Sequence, residues 1–160
     1  MDILPDLFDQ HPSQLQLVSS HWEHYGALCY FSGPAVTVNC FEDNSRIKEL
    51  LASPGEGRIL VVNGQGSTQR ALIGDMIAQS GIDNNWGGVI IYGAIRDVHT
   101  LSQMPIGIKA LCACPIRSQR EGKGEIEQEI VVDRTLIKPG NYIYADLNGV
   151  AMSEHKLELA

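Results

Sequence analysis

Residues 71–97, ALIGDMIAQSGIDNNWGGVIIYGAIRD, decide the fold. Ala71 and Leu72 lead into Ile73-Gly74-Asp75-Met76-Ile77-Ala78, which reads as a glycine turn opening a helix, and that helix is expected to stop near Gly81. Trp86-Gly87-Gly88 then turns the chain into the apolar run Val89-Ile90-Ile91-Tyr92, a buried strand ending at Gly93. Arg96-Asp97 follows, setting a guanidinium beside a carboxylate where another helix begins. In open α/β folds, polar groups converge on ligands in loops at the carboxyl ends of strands, and helix amino ends offer free N–H groups to anions. Both halves of this stretch have that form.

Upstream, Arg58-Ile59-Leu60-Val61-Val62 reads as a near-continuous apolar strand. Glu42-Asp43-Asn44-Ser45 caps a helix over Ile47, Leu50 and Leu51 that Ser53-Pro54-Gly55 terminates. The resulting βαβα order predicts parallel crossovers covered by helices. Ala27 to Phe41 reads as two β pieces separated by a turn or bulge at Ser32-Gly33-Pro34. In residues 1–25, Leu4, Leu7, Leu15, Val18 and Trp22 suit two short helices around Pro12. Downstream, Ile106 to Pro115 is another apolar run and Arg117 to Glu125 a charged loop. Glu127 to Val132, Thr135 to Ile137, Tyr142 to Tyr144 and Val150 to Met152 form a meander of short antiparallel strands, and Ser153 to Ala160 is a tail or final helix. The expected fold class is α/β, with parallel crossovers in mixed sheets and an antiparallel second half, in one domain covering residues 1–160.

At 160 residues the chain is long enough to bury roughly 70% of its unfolded surface without a disulfide or metal staple. The formal net charge is −7 and no basic stripe occurs, which argues against direct binding of RNA or DNA. A small anion in a locally positive pocket, or a basic protein segment, remains compatible with that total. Cys29, Cys40, Cys112 and Cys114 include no CxxC pair, and the last two share a strand face; buried thiols in a reducing compartment are expected. The N-terminus lacks the form of a signal peptide, and no stretch approaches the roughly 18 apolar residues of a membrane span, so the cytoplasm is the expected location.

Few groups on this chain have the form of a reactive site. Gly64-x-Gly66-Ser67 lacks the lysine of a phosphate loop and the third glycine of a dinucleotide fingerprint, so a structural turn is the plainer reading. At Gly74-Asp75 two readings stand side by side: the N–H groups of residues 74–77 face a bound carboxylate, or Asp75 caps its own helix. Arg96 likewise either meets a carboxylate bidentately or forms an ordinary ion pair. Asp97 either holds a hard divalent ion that keeps several waters, or caps the helix through Leu101. His21 and His24 have metal-compatible helical spacing but no evident third ligand and read as a surface pair, His99 reads as a surface residue or one behind the site's direct contacts, and Glu121, Glu125 and Glu127 as a solvated loop or interface.

Several segments together resemble the RraA-like family, which joins the ribonuclease regulator RraA to class II 4-hydroxy-4-methyl-2-oxoglutarate and 4-carboxy-4-hydroxy-2-oxoadipate aldolases. They are Thr37-Val38-Asn39-Cys40-Phe41-Glu42-Asp43-Asn44, Gly57-Arg58-Ile59-Leu60-Val61-Val62, Arg70-Ala71-Leu72, Val89-Ile90-Ile91-Tyr92-Gly93-Ala94-Ile95-Arg96-Asp97 and Tyr144-Ala145-Asp146. The resemblance implies a swivelling β/β/α domain assembled as a homotrimer with clefts between subunits. In the aldolase branch it implies Mg²⁺ or Mn²⁺ on Asp97, a pyruvate-like moiety held by Arg96 and the turn of Gly74, Asp75, Met76 and Ile77, and catalytic roles for Arg96 and for Asp75, the latter orienting a metal-bound water.

Two functions follow from that resemblance. One is a divalent-metal-dependent aldolase that cleaves 4-hydroxy-4-methyl-2-oxoglutarate-type 2-oxo diacids to pyruvate, with oxaloacetate decarboxylation as a side activity. The other is an RraA-type regulator that binds and inhibits a ribonuclease of RNA decay, or binds a helicase, without touching nucleic acid. Gly74-Asp75, which many regulators lack, is present in this chain.

Overall fold

The computed structural model describes residues 1–160. Helix α1 (Leu4–Gln10) is followed by β1 (Gln16–Leu17), β2 (Glu23–Tyr25) and the long strand β3 (Phe31–Asn39). Then come α2 (Ser45–Leu51), β4 (Ile59–Asn63), β5 (Ala71–Ile73), α3 (Asp75–Asp83), β6 (Gly88–Ile95), α4 (Val98–Leu101) and β7 (Gly107–Ala113). The chain closes with β8 (Glu125–Ile126), β9 (Ile130–Val132), β10 (Thr135–Ile137), β11 (Tyr142–Asp146) and β12 (Gly149–Ser153).

The architecture is α/β, with a separate antiparallel β9–β10 pair and a ten-stranded mixed, curled sheet. Its strand order is β1-β12-β11-β3-β4-β6-β7-β2, with β5 added alongside β6 and β8 alongside β3. Strands β3, β4, β6 and β7 are mutually parallel, as the βαβα order requires, and β11, β12 and β1 continue the sheet antiparallel. The central strands read as apolar runs because both of their faces are covered. On one face Val36, Leu60, Val62, Val89, Ile91 and Ile108 pack against Ile47 and Leu51 of α2, Ile77 and Ala78 of α3 and Leu101 of α4. On the other, Ala35, Ile59, Val61 and Ile90 pack against Ile130, Val132, Ile137, Ile143 and Val150.

Several expectations are corrected. Ser32-Gly33-Pro34 does not divide two strands. It lies within β3, whose residues 31–34 pair antiparallel with β11 while residues 35–39 pair parallel with β4, so the apparent turn is a change of partner. Only one N-terminal helix forms, and His24 lies on β2, so His21 and His24 do not share a helical face. Helix α3 runs past Gly81 to Asp83 because Gly81 packs into the core near Leu51 and Ile106. β6 likewise continues through Gly93 to Ile95, and β5 is a three-residue strand where the sequence predicts only a lead-in. Residues 154–160 form no helix. Cys40 and Cys114 are buried, whereas Cys29 is exposed and Cys112 half-buried. No helix is long and apolar enough to cross a membrane.

Candidate functional site

Strand β5 pairs parallel with β6, so the turns that follow these two strands must lie side by side. One turn is Gly74 opening α3, the other Arg96-Asp97 opening α4. Gly74, Asp75, Met76, Ile77, Arg96 and Asp97 all line one recess with a cavity volume of about 60 Å³.

Asp97 adopts a left-handed backbone (φ 58°, ψ 37°) as the N-cap of α4, a conformation that Asp tolerates better than most residues. Its carboxylate makes no capping bond to α4. Instead Asp97 Oδ2 accepts the backbone N–H of Asp75, the first residue of α3, at 2.9 Å. Asp75 does not cap its helix either, since the N-cap is Gly74 and no side-chain cap bond forms. The first backward bond of α3 runs from the Ala78 N–H to the Gly74 C=O at 3.1 Å, leaving the Met76 and Ile77 amides at the positive end of the helix. Arg96 is half-buried and forms no ion pair, so its reading as an ordinary salt bridge is not met.

The structure adds residues that sequence reasoning missed. Asn44, Arg117, Ser118 and Arg120 also line the recess. Asn44 Nδ2 donates to the Leu72 C=O at 3.1 Å and its N–H to the Gln119 C=O at 3.2 Å, while its buried Oδ1 accepts nothing from the chain. Ser118 Oγ donates to the Ala71 C=O at 2.7 Å. In the sequence Arg117-Ser118-Gln119-Arg120 is only part of a charged loop, and the spacing of its two arginines is the available signal. His99 is exposed outside the recess. The Gly64–Ser67 segment is a turn seated on Tyr92: a β-carbon on Gly64 would meet the Tyr92 carbonyl oxygen at 2.8 Å.

No group of three or more His, Cys, Asp or Glu side chains is placed to enclose a metal ion. The recess nonetheless suits a hard cation that keeps much of its water shell. Mg²⁺ is commonly held by one or two carboxylates with substrate oxygens completing the octahedron, and Asp97 Oδ1 is free of any hydrogen bond within the chain. Asn44, whose buried Oδ1 has no partner in the chain, lines the same recess.

A mixed curled sheet with paired strand-to-helix turns defines the class, and comparison with known proteins defines the family. The chain belongs to the RraA-like family, whose profile, described as Aldolase/RraA, matches residues 4–152. It is 48% identical over 160 residues to a Shewanella oneidensis protein named "Putative 4-hydroxy-4-methyl-2-oxoglutarate aldolase", covering all of this chain and 98% of that one. Among solved structures it matches one from Geobacillus kaustophilus described as an S-adenosylmethionine:2-dimethylmenaquinone methyltransferase. That match has a TM-score of 0.93 and 40% identity, covering 98% of this chain and 97% of the other. It also matches the RNA-processing inhibitor RraA from Thermus thermophilis, with a TM-score of 0.93 and 32% identity over 99% of this chain and 96% of that one.

Proposed function

We propose that the chain is a divalent-metal-dependent lyase cleaving 4-hydroxy-4-methyl-2-oxoglutarate-type 2-oxo diacids to pyruvate, with oxaloacetate decarboxylation as a side activity. The observation that carries this reading is the position of Asp97: its carboxylate leaves its own helix for the first amide of α3, beside an Arg96 with no counter-ion. Arg96 has no ion-pairing task there, and Asp97 caps no amide of its own helix.

In this reading the Met76 and Ile77 amides receive the carboxylate of the pyruvyl moiety, assisted by the dipole of α3. Arg96 faces the 2-oxo oxygen. Cleavage of the C3–C4 bond leaves an electron pair on C3 that delocalises onto that oxygen, and a guanidinium already in place stabilises the charge as it forms. Asp97 holds Mg²⁺ or Mn²⁺, which when bound supplies Lewis acidity to the same oxygen. Asp75 orients a water that moves protons to and from the substrate. The reading includes the swivelling β/β/α arrangement and a homotrimer whose clefts lie between subunits. Met76 supports that assembly, for an apolar side chain 83% exposed at the rim of a polar recess suits cover by another copy.

The name carried by the Geobacillus kaustophilus structure is not favoured for this chain. A sulfonium donor is cationic, and the recess presents it with three guanidiniums, those of Arg96, Arg117 and Arg120. A second reading, an RraA-type regulator binding a ribonuclease or helicase, is favoured by the Thermus thermophilis likeness and the net charge of −7. Pull-down with an acidic-partner-binding ribonuclease segment tests it, and absence of micromolar binding counts against it.

The test of the lyase is pyruvate release from oxaloacetate and from 4-hydroxy-4-methyl-2-oxoglutarate, with Mg²⁺ and with chelator, in wild type and Asp97→Ala. The expected result is metal-dependent release that the substitution removes. Equal rates in all samples, after subtraction of protein-free decarboxylation, overturn the proposal.

A further inference from the structure

An acidic protein has gathered unpaired guanidiniums at one place. Three guanidiniums, those of Arg96, Arg117 and Arg120, line the recess, and none of them makes an ion pair or a side-chain hydrogen bond within the chain. The carboxylates near the arginine loop are engaged elsewhere: Glu121 with Lys123 at 2.9 Å, and Glu42 with Ser67 Oγ at 2.6 Å and with Arg70. Only Asp75 and Asp97 face the three arginines. Beyond Arg117 and Arg120 the recess meets a wholly polar hollow with a cavity volume of about 340 Å³. The pyruvyl group alone does not account for this second positive region.

The segment bearing these arginines is held firmly although its side chains are exposed. The Ala71 N–H donates to the Ile116 C=O at 2.7 Å, the Gln119 N–H to the Glu42 C=O at 2.9 Å, and the Glu121 N–H to Asp43 Oδ2 at 2.7 Å. Both arginines therefore project from a backbone fixed at either end, and a receptor organised in advance loses less freedom on binding. Asn44, which also lines the recess, is 4% exposed and held by the Nδ2 bond to Leu72, and its buried Oδ1 has no hydrogen-bond partner in the chain.

We propose that Arg117 and Arg120 are specificity-determining residues that hold the second carboxylate of a dicarboxylic 2-oxo acid whose pyruvyl end occupies the Gly74–Ile77 turn. The inference rests on the site assignment under Proposed function and extends it by dividing the cleft into a proximal end, which performs the chemistry, and a distal end, which selects for a second negative charge. Arginine forks suit that selection because a carboxylate can take two parallel N–H bonds from each.

The test uses calorimetry on the full chain with Mg²⁺, comparing 2-oxoglutarate with 2-oxopentanoate, acids of equal length that differ in the terminal carboxylate. Pyruvate is the control for the proximal end. Wild type is expected to bind 2-oxoglutarate at least about 10-fold more tightly, and Arg117→Gln combined with Arg120→Gln is expected to erase the preference while leaving pyruvate affinity within about 2-fold. Unchanged circular dichroism and melting show that the variants fold. Equal wild-type affinity for the two five-carbon acids, or a double variant weakened equally toward all three ligands, overturns the inference and leaves the proximal site standing. Absence of pyruvate binding to wild type overturns the proximal site, and the distal proposal with it.

Discussion

A β-carbon on Gly74 would stand 2.4 Å from Asp97 Oδ2, closer than real contacts allow. Glycine is needed at this position for close approach, since its backbone (φ −137°, ψ −161°) is extended and open to any residue. Gly74→Ala is therefore expected to push the Asp97 carboxylate off the Asp75 amide and lower kcat/KM for pyruvate release about 100-fold, in keeping with the sensitivity of such sites to displacements near 1 Å. The fall in Tm is expected to be only a few degrees. A paired kinetic and thermal measurement checks both, and near wild-type kinetics would count against the arrangement.

Arg96 has no ion-pair partner in the chain, so its removal leaves no buried charge behind. Arg96→Ala is expected to change stability by no more than about 0.5 kcal/mol yet to lower kcat by about 100- to 1,000-fold. Arg96→Lys, which keeps the charge and loses the fork, is expected to fall between. Denaturant melts alongside initial rates separate the two effects.

Packing on the far face of the sheet makes a different demand. β-Carbons on Gly88 and Gly107 would lie 2.2 and 2.0 Å from ring atoms of Phe31, so the phenyl ring rests on two adjacent glycines. Gly107→Ala is expected to destabilise the fold by about 1–3 kcal/mol, and Phe31→Leu in the same chain to restore part of that loss. Urea denaturation of the single and double variants measures it.

Cys40 is buried and its thiol is pushed up to about 12 from an ordinary 9.0, first by burial and then by the negative charge of Asp43. Because the folded value is the higher one, the folded state keeps a proton that the unfolded state releases above pH 9. Stability from this group is complete below that pH and declines as pH rises toward 12, by up to roughly 1.4 kcal/mol per unit. From pH 8 to 11, Tm is expected to fall less in Cys40→Val than in wild type.

Asp43 has the opposite sign. Burial alone raises its carboxyl, but hydrogen bonds from the Ser45 hydroxyl and from the amides of Ser45, Glu121 and Lys123 outweigh it, and the net shift is downward from 3.8. Its contribution is thus present above pH 3.8 and lost as pH falls through the lower folded value. Asp43→Asn is expected to lessen the acid sensitivity of the 116–121 segment, read by amide exchange between pH 5 and pH 3.

The parallel half was legible because β4 and β6 are continuous apolar runs with a helix between them, and burial on both faces leaves that mark in sequence. Strand β5 was not, since three residues carry no period. The partner change along β3 looked like a turn because Gly33 and Pro34 signal turns locally, while the pairing that keeps them extended comes from Tyr142 and Ile143. In the site, Gly74 and Asp97 were recognisable at successive strand-to-helix junctions. Asn44 and Ser118 were not, because they join the recess through bonds to Leu72 and Ala71, 28 and 47 residues away in the chain.

The divided pairing of β3 also orders events at the ribosome. Residues 35–39 gain their β4 neighbours within the next 25 residues of synthesis, but residues 31–34 have no strand to meet until Tyr142–Ala145 emerges. For most of translation that stretch is an open edge, where a nascent chain recruits strangers most readily. The slowest step in acquiring this fold is accordingly expected to be the late homecoming of β11, and chaperone dependence to be greatest in chains cut short before residue 142.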